Sequence, residues 1–162
     1  MGFSLDAQGR RSALHYFDKD GQPVDGAWGI QRCQWEYPAP GVIVEARFNR
    51  RGESAPVRPD FLFHRARFEF GHDELLDFIA NIYAGGEISA SPPGSAVDRV
   101  VYDPCGNFQR WQVFSHRRLP RHGNVIDVAA GGFVHDELGQ VRLLRGFGPQ
   151  GLTVRSPDWA AP

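Results

Sequence analysis

The sequence predicts an all-β fold: an array of antiparallel β-hairpin repeats of about 33 residues forming a twisted sheet or ribbon. Three observations predict it. Two series of turn signals run through the chain at one shared period. Apolar and charged residues alternate in the stretches between the turns. Gly and Pro are abundant, at 19 and 12 residues, and 12% of the chain is aromatic, which favours turns and strands over helix bundles.

The first series is an aromatic residue followed four positions later by Gly. It reads Tyr37-Pro-Ala-Pro-Gly41, Tyr102-Asp-Pro-Cys-Gly106 and His135-Asp-Glu-Leu-Gly139, and Phe70-Gly-His-Asp-Glu74 holds the same place without the last Gly. The spacings from Tyr37 through Phe70 and Tyr102 to His135 are 33, 32 and 33 residues. The second series lies between these: Phe17-Asp-Lys-Asp-Gly21, Phe48-Asn-Arg-Arg-Gly52, Ile82-Tyr-Ala-Gly-Gly86 and Phe147-Gly-Pro-Gln-Gly151. Phe114 stands where a further copy belongs, but no Gly follows it at Ser115 to Arg118. Each second turn follows its first turn by 11 or 12 residues. Asp at the start of a turn bonds the turn's own backbone, and Gly supplies positive φ at its end.

Strands fill the intervals. Cys33, Trp35 and Tyr37 alternate with Arg32, Gln34 and Glu36; Ala66, Phe68 and Phe70 alternate with Arg65, Arg67 and Glu69. Asp98, Val100 and Tyr102, then Gly131, Phe133 and His135, take the matching places later. This period of two predicts one apolar and one charged face. After the turns Val42, Val44, Ala46 and Phe48 share a face, as do Val141 and Leu143. Gly131-Gly132 and Gly85-Gly86 read as turn signals. The approximate units are 11–29 (a half unit), 30–62, 63–95, 96–128 and 129–155, with a tail at 156–162, all in one domain. A single hairpin cannot bury its apolar side, so the units must stack.

These turns resemble the tyrosine-aspartate (YD) repeats of Rhs-type bacterial proteins. The carrying residues are Phe17-Asp-Lys-Asp-Gly-Gln-Pro-Val24, Tyr102-Asp-Pro-Cys-Gly-Asn107 and His135-Asp-Glu-Leu-Gly-Gln-Val141. Pro38 departs from the pattern, as do Phe70-Gly71 and residues 87–95 and 115–123. The resemblance implies hairpin units wound into a sheet or shell that serves as casing around or beside toxins. It supplies no catalytic residue.

Composition narrows the function. The net charge of −1 gives no global basic field, so nucleic acid is not an expected partner. Nearly all the basic residues are Arg, with Lys19 the one Lys, a bias of high-GC bacterial genes. No apolar run approaches 18 residues and the first 20 lack a signal-peptide core. The expected location is therefore the cytoplasm, with no membrane partner, and export by a dedicated secretion system stays open. Cys33 and Cys105 make no disulfide framework and are expected to be buried or partly buried thiols.

Candidate sites are sparse. His116, Arg117, Arg118, Arg121 and His122 form the densest basic cluster, where a turn has been lengthened, and suit an acidic partner or phosphate. Arg47, Arg50 and Arg51 are a smaller version of this cluster, which a solvated strand end explains at least as well. The six His show no ligand spacing, and His135 holds an aromatic place in the repeat, so neither metal nor cofactor is expected. Asp73, Glu74 and Asp77 lie close together, a spacing that suits a paired-carboxylate site but is better accounted for by a charged edge. Trp35 is expected in the core, and Trp159 in the tail could cap the array.

One alternative competes. Leu75, Leu76, Ile79, Ala80 and Tyr83 fit helical spacing as well as strand spacing. A helix at 73–84 would turn the chain into an α+β cone of the ketosteroid-isomerase type. That would be a small cyclase- or isomerase-like enzyme acting on a hydrophobic small molecule, with Asp98, His64, His116 or Asp127 as acid–base groups. The repeats favour the other outcome: a non-enzymatic module that binds a protein through its sheet face or widened loops. A toxin-associated or immunity-like partner is one form of it, and open edges also suit a homo-oligomer.

Overall fold

The computed structural model describes residues 1–26, 28–56, 63–83, 85–90, 95–117 and 129–154. These residues form one antiparallel sheet of eleven strands whose spatial order is the chain order. The strands are β1 (Gly2–Leu5), β2 (Arg11–His15), β3 (Arg32–Ala39), β4 (Val42–Phe48), β5 (Arg65–Phe70), β6 (Leu76–Asn81), β7 (Val97–Tyr102), β8 (Phe108–Phe114), β9 (Ala130–His135), β10 (Val141–Phe147) and β11 (Thr153–Val154). Within the ambiguous stretch at 73–84, residues 73–83 are a turn and then a strand, and the described residues contain no helix. The cone alternative is thereby corrected. The reason is tertiary: β6 is hydrogen-bonded between β5 and β7, which a helix could not be.

One turn design serves both ends of the sheet. At Asp6, Asp18, Gly26, Asn49, Gly71, Tyr83, Asp103, Asp136 and Gly148, the first residue's C=O accepts the N–H three residues on, and its N–H donates to the carbonyl four residues on. Where that residue is Asp or Asn, its Oδ1 also accepts two further backbone N–H groups. Asp103 takes those of Cys105 and Asn107, and Asp136 those of Leu138 and Gln140, all at 2.9 Å. This is the type I turn closed by a left-handed residue that hairpins use. The turn at Gly71–Glu74 departs from it at both ends. Gly71 brings no carboxylate, and Glu74 takes the left-handed place at φ 61°. The Pro38 copy departs further, because Pro40-Gly41 closes it as a two-residue turn between Ala39 and Val42.

The two turn series lead into different structures. After the first series the strands stay paired. Most of these hairpins slip one residue just past the turn, as where Tyr102 faces Phe108 but Val101 faces Arg110. After the second series the chain pairs back only briefly, Phe17 with Pro23, Phe48 with Ser54 and Ile82 with Ile88, then crosses to the next strand. β11 is the same feature: Thr153 faces Phe147. The hairpin β1–β2, with its turn Asp6-Ala-Gln-Gly9, completes the half unit read from residue 11.

Alternation holds, but the faces are not apolar and polar. One face carries Cys33, Trp35, Phe68, Ile79, Asp98, Val100, Trp111, Gly131 and Phe133. The other carries the arginines, and Val44, Ala80, Ile82 and Val97 lie buried among them, packed by Phe78, Ile88 and Phe114. The expected division into an apolar and a charged face is corrected accordingly. Long Arg stems cover apolar neighbours, and the inner guanidinium nitrogen of four of them is buried as well. Gly131-Gly132 is not a turn but lies inside β9. A Cβ on Gly131 would fall inside the Trp111 ring, so the indole lies flat on bare backbone. Val141 and Leu143 face His135 and Val134 across a slip in register, so they do not share a face.

Candidate functional site

The predicted basic loop is only partly visible. His116 and Arg117 are exposed just after β8, while Arg118, Arg121 and His122 lie outside the described residues, as do Asp127 and Trp159. Arg47 is not a solvated strand end. It is buried on the Trp35 face and paired with Glu45, which also accepts the Trp35 Nε1 proton at 2.8 Å. Trp35 is half-buried. Arg50 is tied through its backbone N–H to Asp25 at 2.7 Å.

The two thiols part company. Cys33 is half-buried, and burial, then the Glu45 carboxylate, push its pKa up, away from nucleophile chemistry. Cys105 is exposed on a turn, which corrects the expectation that both would be covered. Among the described residues no three His, Cys, Asp or Glu side chains gather to hold a metal. No helix there is long and apolar enough to cross a membrane.

Two open clefts of about 500 Å³ each lie at the first-series end of the sheet. One is walled by Tyr37, Pro38, Pro40 and Phe70. The other is walled by Asp103, Asn107, Phe133, His135, Asp136 and Leu138. Of the three carboxylates that line the second cleft, Asp103 and Asp136 are committed to their turns, and Glu137 is the third. The Asn107 side chain and backbone hold Asp103 below its ordinary pKa. The Gln140 N–H, against some burial, does the same for Asp136, with help from Leu138 and Arg142. His135 is half-buried with its ring stacked 6.5 Å from Phe133. Asp98 stands apart on its face between Ile79 and Val113, where burial pushes its carboxyl pKa up to about 6.

The most developed polar surface is a sheet face absent from the predicted sites. Arg32, Arg65, Arg67, Arg99, Arg110 and Arg145 share it with Glu36 and Glu69. Arg65 lies 3.7 Å from Glu36 and Arg67 lies 3.0 Å from Glu69. No carboxylate among the described residues pairs with Arg32, Arg99, Arg110 or Arg145. Three of these lie against rings instead: Arg32 over Phe48 at 4.6 Å, Arg99 by Phe78 at 5.8 Å and Arg110 by Phe147 at 5.5 Å. The Nε atoms of Arg32, Arg65, Arg67 and Arg110 are buried with no hydrogen-bond acceptor. For Arg67 this sets a close approach of charges beside poor bond geometry, and the charge attraction persists because it needs no alignment. The signal was present in the sequence as Arg at alternate strand positions, but only the pairing joins those positions into one surface.

Compared with known proteins, the chain matches no family model, and no curated protein matches it significantly.

Proposed function

We propose that this chain is a non-enzymatic binding module built of hairpin repeats, and that it takes an acidic protein partner on the arginine-bearing face of its sheet. The observation that carries this is the charge imbalance of that face: six arginines against two glutamates among the described residues, in a chain whose net charge is −1. The balancing acids sit on the turns, where Asp6, Asp18, Asp103 and Asp136 are occupied by backbone N–H groups. Arginine laid over aromatic rings is well suited to carboxylates, because its fork binds them in pairs and its weak hydration makes burial less costly. The likeness to YD repeats supports a bacterial toxin-associated or immunity-like role for such a module.

The test is a titration of the protein with poly-glutamate at low and high salt. The double substitution Arg99→Glu with Arg110→Glu is expected to weaken binding by about tenfold or more, and salt is expected to weaken the wild type. Binding that ignores both changes would overturn the proposal.

A further inference from the structure

Strand pairing sets the arginines of the charged face on a diagonal. Arg65 faces Ala46, which faces Gln34, one step nearer the first-series turns than Arg32. Arg67 is a step further along β5 and lines up through Ala80 with Val97, so Arg99 on β7 is a step beyond it. Arg99 in turn faces Gln112, and Arg110 stands two residues nearer the turn at Asp103. The carboxylates of this face keep to the middle of the diagonal, where Glu36 meets Arg65 and Glu69 meets Arg67. Arg99 and Arg110 lie beyond them, with no carboxylate paired to either among the described residues. Along the ladders the next acid on their face is Glu69, across Phe78 from Arg99 and committed to Arg67. The acids of the flanking turns are held elsewhere: Asp103 by Asn107, Asp136 by Arg142, while Glu137 lines the cleft at the turns. Arg145, across Gly132 in the row of Arg110, adds to the positive field and stands outside the pair.

Like charges this close weaken a sheet rather than support it. Diagonal neighbours on antiparallel strands stand about 7–8 Å apart, which lets two long side chains converge on one small group. Phe78 backs the Arg99 guanidinium at 5.8 Å and Phe147 backs that of Arg110 at 5.5 Å. Arg110 is half-buried and its Nε is shut away with no acceptor. A cation partly stripped of water and left unpaired gains more from a nearby anion than a fully hydrated one does. Gln112, directly across from Arg99 and on the same strand as Arg110, adds a neutral amide donor.

We infer that Arg99 and Arg110 together hold one phosphoryl group, carried on a phosphorylated side chain of the acidic protein partner. The inference rests on the acidic-partner reading above and names the group that this part of the face selects. A phosphate monoester carries about 1.5 to 2 negative charges at pH 7 and three strong acceptor oxygens. It can therefore neutralise both guanidinium groups at once and accept from each of them and from Gln112. A carboxylate neutralises only one. A nucleic-acid strand would have to run on past Glu36 and Glu69, which repel it, whereas one phosphorylated residue needs only the pair.

The experiment uses the full chain and peptides that differ only in whether the central residue is phosphoserine, Glu or Ser, with inorganic phosphate as a further probe. The phosphoserine peptide is expected to bind about tenfold or more tighter than the Glu peptide, and inorganic phosphate to compete with it only weakly. Arg99→Gln with Arg110→Gln is expected to abolish that preference with the far-UV circular dichroism unchanged. Lys19→Gln, which removes a positive charge from the turn after β2, is expected to leave it intact. Should the double variant not fold, Arg99→Lys with Arg110→Lys keeps both charges and is expected to lower the preference about threefold or more, because a point charge lacks the paired fork. Phosphoserine and Glu peptides that bind equally overturn the phosphoryl site, and the acidic-partner reading then stands or falls on poly-glutamate alone. Inorganic phosphate that binds as tightly as the phosphoserine peptide overturns a protein-borne group. A preference that survives both double variants overturns the assignment to Arg99 and Arg110. Poly-glutamate binding indifferent to those residues, with a phosphoserine preference that the Gln variant abolishes, removes the acidic-partner reading and keeps the phosphoryl site.

Discussion

Glu74 is the one described non-Gly residue with positive φ, and it stands where the other turns of its kind place Gly. A side chain in that conformation costs roughly 1 kcal/mol. Glu74→Gly is therefore expected to stabilise the protein by about 1 kcal/mol in urea unfolding, a rare gain from introducing Gly. Asp98 is the opposite kind of residue, an acid in a place that favours its neutral form. Its folded pKa of about 6 exceeds the ordinary 3.8, so its favourable contribution is complete below 3.8 and lost as pH climbs through 6. Above neutrality the ionised carboxylate costs about 2–3 kcal/mol. Asp98→Asn should raise stability at pH 8 and flatten the fall between pH 4 and pH 7, as followed by denaturant melts across that range. The sequence showed Asp98 at a position otherwise held by Cys33 and Ala66. It could not show that Ile79 and Val113 would flank it, because both come from other strands.

Turns and strands differ in how they can be read. The turn is local: Asp or Asn, then Gly three places on, fixes it without help from the rest of the chain. Seven of its nine places followed from the two spaced series, but Asp6–Gly9 and Gly26–Gly29 escaped because Leu5 and Asp25 stand where the aromatic was sought. Strand faces depend on partners. Arg65 and Arg67 read as part of a charged face, yet Ala46, Val44 and Ala80 across the ladders make theirs a half-buried surface. Residues 73–84 fitted two periods equally, and pairing with β5 and β7 decided between them. Gly131-Gly132 looked like a reversal because Trp111, which uses the bare backbone, is twenty residues away in sequence. Gly131→Ala is expected to destabilise by about 3 kcal/mol through overpacking. The same change in a Trp111→Ala background should cost much less, a coupling that a double-mutant cycle by chemical unfolding would measure.

At the scale of the molecule, each strand touches only its neighbours in sequence, as in other repeat proteins. Stability should then fall from the middle outward. Amide exchange is expected to be slowest in β4 to β8, where the buried cluster lies, and fastest in β1 and the outer part of β10. The pH profile combines opposed groups. Asp6, Asp103 and Asp136 have folded pKa values below 3.8, so what they contribute is present above that pH and lost as it falls further. Asp98 acts in the reverse sense between 3.8 and 6. The melting temperature should thus pass through a maximum between pH 4 and pH 6, and Asp98→Asn should broaden that maximum toward neutrality.

Four of the five junctions from an even-numbered strand to the next share one register, with Leu14 facing Cys33, Glu45 facing Ala66, Ile79 facing Asp98 and Trp111 facing Gly131, and this bears on how such a gene can change. Any even strand presents the same backbone pattern to any odd strand, so whole units are interchangeable. An in-frame loss of the codons for residues 38–70 would join Tyr37 to Gly71 and let β3 fold back on β6 through an existing turn. Unequal crossing-over could lengthen or shorten the array by such steps, with each product still able to close its ladders.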